Sequence, residues 1–160
     1  MIDKEQLIKD IETAFADVHL NEGIGINEAD KIELRERDAF RQKGRNQDRL
    51  WWQSWKEIED KYPASYSSVM DFMDSEGLRW VMPVYLIYII KHYKEGSFSV
   101  DSTIYTLEAG GLGTDGLDLY TIEQKKAIAK FLQFMVEVGA EWVDVESAQN
   151  ALDNVWGEWV

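Results

Sequence analysis

The chain has 160 residues, 45% of them hydrophobic, and a formal net charge of −13 at pH 7. This length and apolar content predict one folded domain with a substantial core and exclude a disordered chain. Cysteine is absent, which excludes disulfides, thiolate catalysis and Cys-ligated zinc and fits a cytoplasmic protein. The negative charge disfavours nucleic acid and anionic membranes and suits a basic protein partner, although it also serves solubility.

The first predicted helix covers residues 3–18, and no signal peptide is recognised before it. Asp3 and Gln6 have the spacing of a capping box, and apolar residues then recur at helical intervals. We interpret the two glycines of Gly23-Ile24-Gly25 as a turn that stops this helix. A nucleotide-binding loop is disfavoured because no strand precedes them and a third glycine is missing. Asn27 is predicted to cap a second helix that ends near Asp38.

Residues 31–49 form the one basic region of the chain, with seven basic residues and interleaved acids. The alternation predicts a solvated helix face with intrahelical ion pairs, and a local anion-binding patch is the alternative. The sequence from Lys43 to Asn46 includes Gly44 and is predicted to break the helix as an exposed loop.

Three tryptophans follow, Trp51, Trp52 and Trp55. At helical spacing Trp51 and Trp55 share one face, so two of the three are expected to close the core. The alternative is an aromatic contact surface, because Trp and Arg are frequent hot-spot residues. Pro63 is predicted to end this helix.

Arg79 stands between Leu78 and Trp80, at the entrance of the most apolar run in the chain. A partly buried guanidinium needs a partner. The upstream acids Asp71, Asp74 and Glu76 are the expected partners, and a carboxylate or phosphate ligand is the alternative.

The apolar run itself, residues 84–90, has no polar face and predicts a fully buried helix. Pro83 suits the first helical position, so we expect this central helix to start there. A buried strand is the rival interpretation, and the run is too short to span a bilayer. Gly96 is a plausible helix stop.

Residues 97–120 are the least regular part of the sequence. Residues 97–100 suggest a short extended piece, with Ser102 or Thr103 capping a helical turn after it. The glycine-rich stretch 110–118 matches neither an EF-hand loop nor a P-loop and is predicted to be a flexible connection. Thr121 and Gln124 then form a capping box for a helix ended by Gly139, and a last helix is predicted over about residues 144–156.

No catalytic or metal motif stands out. Neither His19 nor His92 is in a Glu-x-x-His motif, and no serine is in a Gly-x-Ser-x-Gly elbow. The sequence therefore predicts no cofactor and no metal, and it favours a protein without catalysis.

Three segments stand out together. They are Ile11-x-x-Ala14-Phe15-x-x-Val18 leading to Gly23-Ile24-Gly25-Ile26-x-Glu28-Ala29, then Gly77-Leu78-Arg79-Trp80-x-x-Pro83-x-Tyr85-Leu86, and Thr121-x-x-Gln124-x-x-Ala127-Ile128-x-x-Phe131-Leu132-x-Phe134. In this order and spacing they resemble a family of short uncharacterised bacterial proteins, a domain of unknown function. The resemblance covers most of the chain and implies a shared fold, but no activity.

These patterns together predict a single all-α domain of about six helices around the helix from Pro83. Three functional hypotheses remain. The first is a protein-binding module, immunity- or antitoxin-like, for a basic partner; the second is a small-molecule binder or enzyme; the third is an acidic mimic of nucleic acid. A homodimer is compatible with each of them. The candidate ligand- or partner-binding residues are Trp51, Trp52, Trp55, Arg79 and Trp80.

Overall fold

The computed structural model describes residues 1–109 and 116–160, and within these ranges the chain forms helices and turns without any strand. The predicted all-α class is confirmed. Eight α-helices are present in the described residues, compared with about six expected. They are α1 (Lys4–Ala14), α2 (Ile26–Glu33), α3 (Asp38–Trp51), α4 (Lys61–Ser65), α5 (Ser75–His92), α6 (Phe98–Glu108), α7 (Ile122–Val138) and α8 (Val145–Ala151).

Helix α5 lies at the centre of the fold and packs against α1, α4 and α6. Thirteen of its eighteen residues are buried, as the apolar run predicts. The predicted start at Pro83 is wrong, because the helix begins two turns earlier at Ser75. The N-cap is Asp74, whose Oδ1 accepts a hydrogen bond from the backbone N–H of Gly77 at 2.9 Å.

Pro83 therefore lies inside α5, where it cannot donate a hydrogen bond to the carbonyl of Arg79. An internal proline costs a helix about 3 kcal/mol. The buried apolar residues on both sides of Pro83 offset that cost, since the helix gains packing along its whole length. Local helix propensity predicts a start at Pro83, whereas tertiary packing favours the longer helix that begins at Ser75.

Helix α7 forms the second layer of the core and packs against α1 and α8. Its predicted capping box is confirmed: the Thr121 hydroxyl accepts from the Gln124 N–H, and the Gln124 side chain accepts from the Thr121 N–H. Gly139 ends the helix, as expected. The last helix continues from α8 into a wider turn over Leu152–Trp156, and the Trp156 indole N–H donates to the Leu107 carbonyl at 3.0 Å.

Helices α2 and α3 form a hairpin in which α3 packs chiefly on α2. The predicted break at residues 43–46 is wrong, because α3 is continuous through Gly44. A Cβ at Gly44 would lie 2.7 Å from the carbonyl oxygen of Asn27. The glycine is thus present for close helix packing, and it does not end the helix. Pro63 also does not end a long helix, since it lies within the short α4.

Two further expectations concern residues 97–120. The extended piece predicted at residues 97–100 is wrong, because Ser97 caps α6 through a hydrogen bond from the Ser99 N–H. Most of the predicted flexible connection, residues 110–115, lies outside the described residues, and Gly116–Leu119 forms a 3-10 turn. In the described ranges, no helix combines the length and the apolar character that crossing a membrane requires.

Candidate functional site

The predicted aromatic site residues are only partly brought together. Trp52 and Trp80 are buried with ring centroids 6.2 Å apart, and half-exposed Trp51 packs edge-on against Trp52 at 5.8 Å. Trp55 is buried as well, but its indole N–H donates to the Phe15 carbonyl at 2.8 Å. Three of the four rings therefore form core.

The predicted site residue Arg79 lies apart from those rings. Its Nη1 donates to the carbonyl of Leu119 at 2.8 Å, and its Nε is buried with no hydrogen-bond partner among the described residues. Within the same residues no salt bridge joins it to Asp71, Asp74 or Glu76. Asp74 instead accepts hydrogen bonds from the backbone of Ile24 and Gly77.

A cleft of about 310 Å³ lies next to Trp52 and Trp80 and brings them together with Arg49 rather than Arg79. Trp55 lines a different cleft, of about 250 Å³. The remaining residues that line the first cleft are His19, Leu20, Asn21, Asp48 and Gln53.

A buried polar network holds α2 against α3, and its central group is Asp48. The Asp48 carboxylate is fully buried and accepts hydrogen bonds from the backbone N–H groups of Asn27 at 2.8 Å and Glu28 at 3.0 Å. It caps α2 from a distant part of the chain, so the expected cap by Asn27 is wrong. The actual N-cap is Gly25, where a Cβ would lie 2.5 Å from the Asp48 carboxyl carbon.

Burial raises the pKa of Asp48 to about 6, although the two backbone hydrogen bonds and the nearby Arg49 charge oppose this rise. Arg49 itself donates to the carbonyls of Asn21, Gly23 and Arg45 at 2.7–3.0 Å. Its charge is thus held by neutral acceptors at the edge of the 310 Å³ cleft.

Glu28 is the second buried acid of the network. Its Oε2 accepts from Arg41 Nε at 2.9 Å and its Oε1 from Arg45 Nη1 at 3.0 Å. Arg45 also reaches Glu22 at 3.0 Å. Arg41 and Arg45, predicted to lie on a solvated face with intrahelical pairs, are therefore engaged across two helices. This requires the hairpin geometry, which no local pattern encodes.

A different surface combines exposed aromatic residues with acids, and it was not predicted from the sequence. Phe98 and Tyr105 on α6 are 85% and 46% exposed, and Trp142, in the turn before α8, is 47% exposed. The two α6 residues are seven apart, so they lie on one side of the helix about 10 Å apart along its axis. The Tyr105 hydroxyl donates to Asp144 at 3.0 Å, which joins α6 to the turn.

We call this surface the acidic-aromatic face, and the two segments that form it carry charge of one sign. Neither residues 97–109 nor residues 131–160 contain a single basic residue. Hydrogen bonds from the Ser147 backbone N–H and from the Tyr105 hydroxyl lower the pKa of Asp144 below its ordinary value. The signal in the sequence was the seven-residue spacing of Phe98 and Tyr105 in a segment without cations. We assign to the face the acids of α6, of the turn and of the start of α8, which are Asp101, Glu108, Glu141, Asp144 and Glu146.

Metal binding has no support in the described part of the chain, where no three His, Asp or Glu side chains are grouped to hold an ion.

A protein-family model described as a family of unknown function (DUF6714) matches residues 3–160. Comparison with curated proteins and with solved structures gave no significant match.

Proposed function

The chain belongs to this family of unknown function, and we propose from its own surfaces that it is a non-catalytic protein-binding module for a basic partner. The observation that carries the proposal is the acidic-aromatic face. Three large aromatic side chains are exposed there among five carboxylates, in segments that lack any basic residue.

Exposed aromatic side chains are the residues most often found at the energetic centre of protein interfaces. Phe98 leaves most of its ring in water, so its burial in an interface would remove apolar area from water and favour binding. A surrounding field of one sign raises the rate of encounter with an oppositely charged partner and disfavours partners of like charge. Together these properties fit a cytoplasmic neutraliser of immunity or antitoxin type, whose partner is a basic protein.

The test compares the wild-type protein with a Phe98→Ser/Trp142→Ser variant as bait in a lysate of the native host. The matched control is Ile122→Ser, which removes another exposed apolar side chain, at the start of α7. We expect the wild type and the control to retain one stoichiometric basic protein at low salt and to lose it at high salt. Cross-links from that protein should map to α6 and to residues 139–144.

A retained protein that binds the double variant equally well would contradict the assignment of the face. The absence of any salt-sensitive basic protein from the wild-type sample would contradict the function itself.

A second candidate function, small-molecule binding, is favoured by the 310 Å³ cleft. Two indole rings and the Arg49 guanidinium meet there. This suits a small planar anion that packs against one indole ring and pairs with the guanidinium. We expect aromatic carboxylates to quench tryptophan fluorescence in the wild type but not in a Trp80→Phe variant. Equal quenching of both proteins would exclude this cleft.

A further inference from the structure

Helix α3 has an outer side that is largely exposed in the described chain, since its packing is chiefly on α2. Leu50 is 80% exposed on this side, and Phe40 and Trp51 are each about half exposed. With Lys43 and Gln47 they follow helical spacing and share one stripe about 100° wide. We call these five residues the α3 stripe.

The α3 stripe lies in a segment of net positive charge. Residues 34–51 contain six basic and three acidic residues. Arg41 and Arg45 are used internally by Glu28, whereas Arg35, Arg37 and Lys43 are exposed and make no salt bridge to the described residues. The stripe therefore combines apolar side chains with cations that are free to act at a distance.

We propose that the α3 stripe of one copy binds the acidic-aromatic face of a second copy. The inference rests on the proposed function, because it names a second copy of this chain as a competitor for the face that receives the basic partner. Charge complementarity supports this occupant: the stripe presents Lys43, with Arg35 and Arg37 preceding the helix beside the acids Glu36 and Asp38, and the other surface presents carboxylates without a single cation in its two segments. Both surfaces carry exposed aromatic rings for the contact itself.

The same charges disfavour a symmetric contact between two identical surfaces. Two acidic-aromatic faces would bring five carboxylates against five, and two α3 stripes would offer each other Lys43 and no acid, so neither pairing gains charge complementarity. The contact is therefore heterologous, with a different surface on each side. Such a contact leaves one free stripe and one free face on every assembly and permits chains longer than two copies.

The expected contact is weak. A helix of fourteen residues is about 21 Å long and about 10 Å wide, so the interface lies at the small end of specific interfaces, below roughly 1,200 Å² in total. Association should rise with protein concentration and decline with salt, because screening shortens the range of the charges from about 10 Å at 0.1 M salt to about 3 Å at 1 M.

The experiment uses two variants of the full chain in analytical ultracentrifugation. The stripe variant is Lys43→Glu/Leu50→Glu, and the face variant is Phe98→Ser/Glu146→Lys; all four positions are exposed, so folding should be kept, and circular dichroism checks it. We expect the wild type to associate at low salt and each variant alone to sediment as a monomer. A 1:1 mixture of the two variants should reach twice the monomer mass and no more.

The mixture carries the decisive result, because it restores one intact stripe and one intact face. A mixture that stays monomeric while the wild type associates would overturn the heterologous contact in favour of another interface. A wild type that remains monomeric at all concentrations would also overturn it. That last outcome leaves the proposed function standing if the lysate experiment still retains a basic protein on the wild-type face, so the two failures are distinguishable.

Discussion

The α2–α3 hairpin and the core around α5 and α7 are held together by different physics. Helices α5 and α7 bury long apolar runs, and their internal hydrogen bonds are completed by local caps at Asp74 and Thr121. In α3 only Gly44 and Asp48 are fully buried, and the helix is fastened to α2 by the carboxylates of Asp48 and Glu28. The core depends on shape and area removed from water, whereas the hairpin depends on a few buried charges with their partners in place.

The roles proposed for the two regions also differ. In the hairpin, Arg41 and Arg45 of α3 pair with Glu28 of α2, and the α3 stripe is exposed to solvent. The acidic-aromatic face lies on α6 and the turn before α8, which the apolar core supports directly. A rigid support suits a binding surface, because little order has to be gained when a partner binds.

The largest expected effect is in the core. Phe131 on α7 is fully buried, so Phe131→Ala should remove its packing and leave a cavity, with a loss of about 3–5 kcal/mol of unfolding free energy. Urea denaturation measures the loss. A change of less than about 1 kcal/mol would show that α7 is not part of the central core.

A smaller and more local effect is expected in the hairpin. Glu28→Gln removes the charge that Arg41 and Arg45 share, and the unfolding free energy should fall by about 2 kcal/mol. Hydrogen exchange should then accelerate in α2 and α3 more than in α5. The control is Glu22→Gln, whose side chain is 93% exposed against 2% for Glu28, and which should cost less than about 0.5 kcal/mol. Equal losses from both variants would contradict the role given to burial.

The third prediction uses pH to test the hairpin alone. Because the pKa of Asp48 is raised from 3.8 to about 6 on folding, the folded state takes up a proton more readily than the unfolded state. The resulting stabilisation is fully present below pH 3.8 and is lost as pH rises through 6. Relative to Asp48→Asn, which does not titrate, the wild type should gain about 1 kcal/mol between pH 7 and pH 5. Parallel pH profiles for the two proteins would show that burial does not raise the pKa of Asp48.

The smallest effects are expected at the two exposed surfaces. Leu50→Ser and Phe98→Ser remove side chains that are mostly in solvent, so each should change the unfolding free energy by less than about 0.5 kcal/mol. Thermal denaturation measures this. A large loss from either substitution would mean that its side chain supports the fold and is not held ready for a partner.

Much of the core was predictable because its signals are local. The spacing of apolar residues and the Thr121 box identify α7 with its correct ends, and the uninterrupted apolar run identifies α5 as a central helix. The start of α5 was missed because Asp74 serves two segments: it caps its own helix and also binds the N–H of Ile24, fifty residues away. Gly77 permits this approach, since a Cβ there would lie 1.9 Å from the Ile24 carbonyl oxygen.

The candidate sites were less predictable than the core. Of the predicted site residues, Trp52 and Trp80 meet at one cleft, but Trp55 and Arg79 have hydrogen-bond partners elsewhere. The acidic-aromatic face depends on which residues remain exposed after α6 and α8 have packed together, and exposure is set by contacts across the fold.

By itself, the sequence determined that this protein is helical, strongly acidic, free of cysteine and built on an apolar central helix, because each of these follows from composition or from contacts within a few residues. Tertiary structure alone decided that Asp48 caps α2 and that Gly44 and Pro83 lie inside continuous helices. It also decided which aromatic rings remain exposed. These outcomes depend on contacts between segments that are distant in the chain. Local sequence patterns do not predict the energy of such contacts.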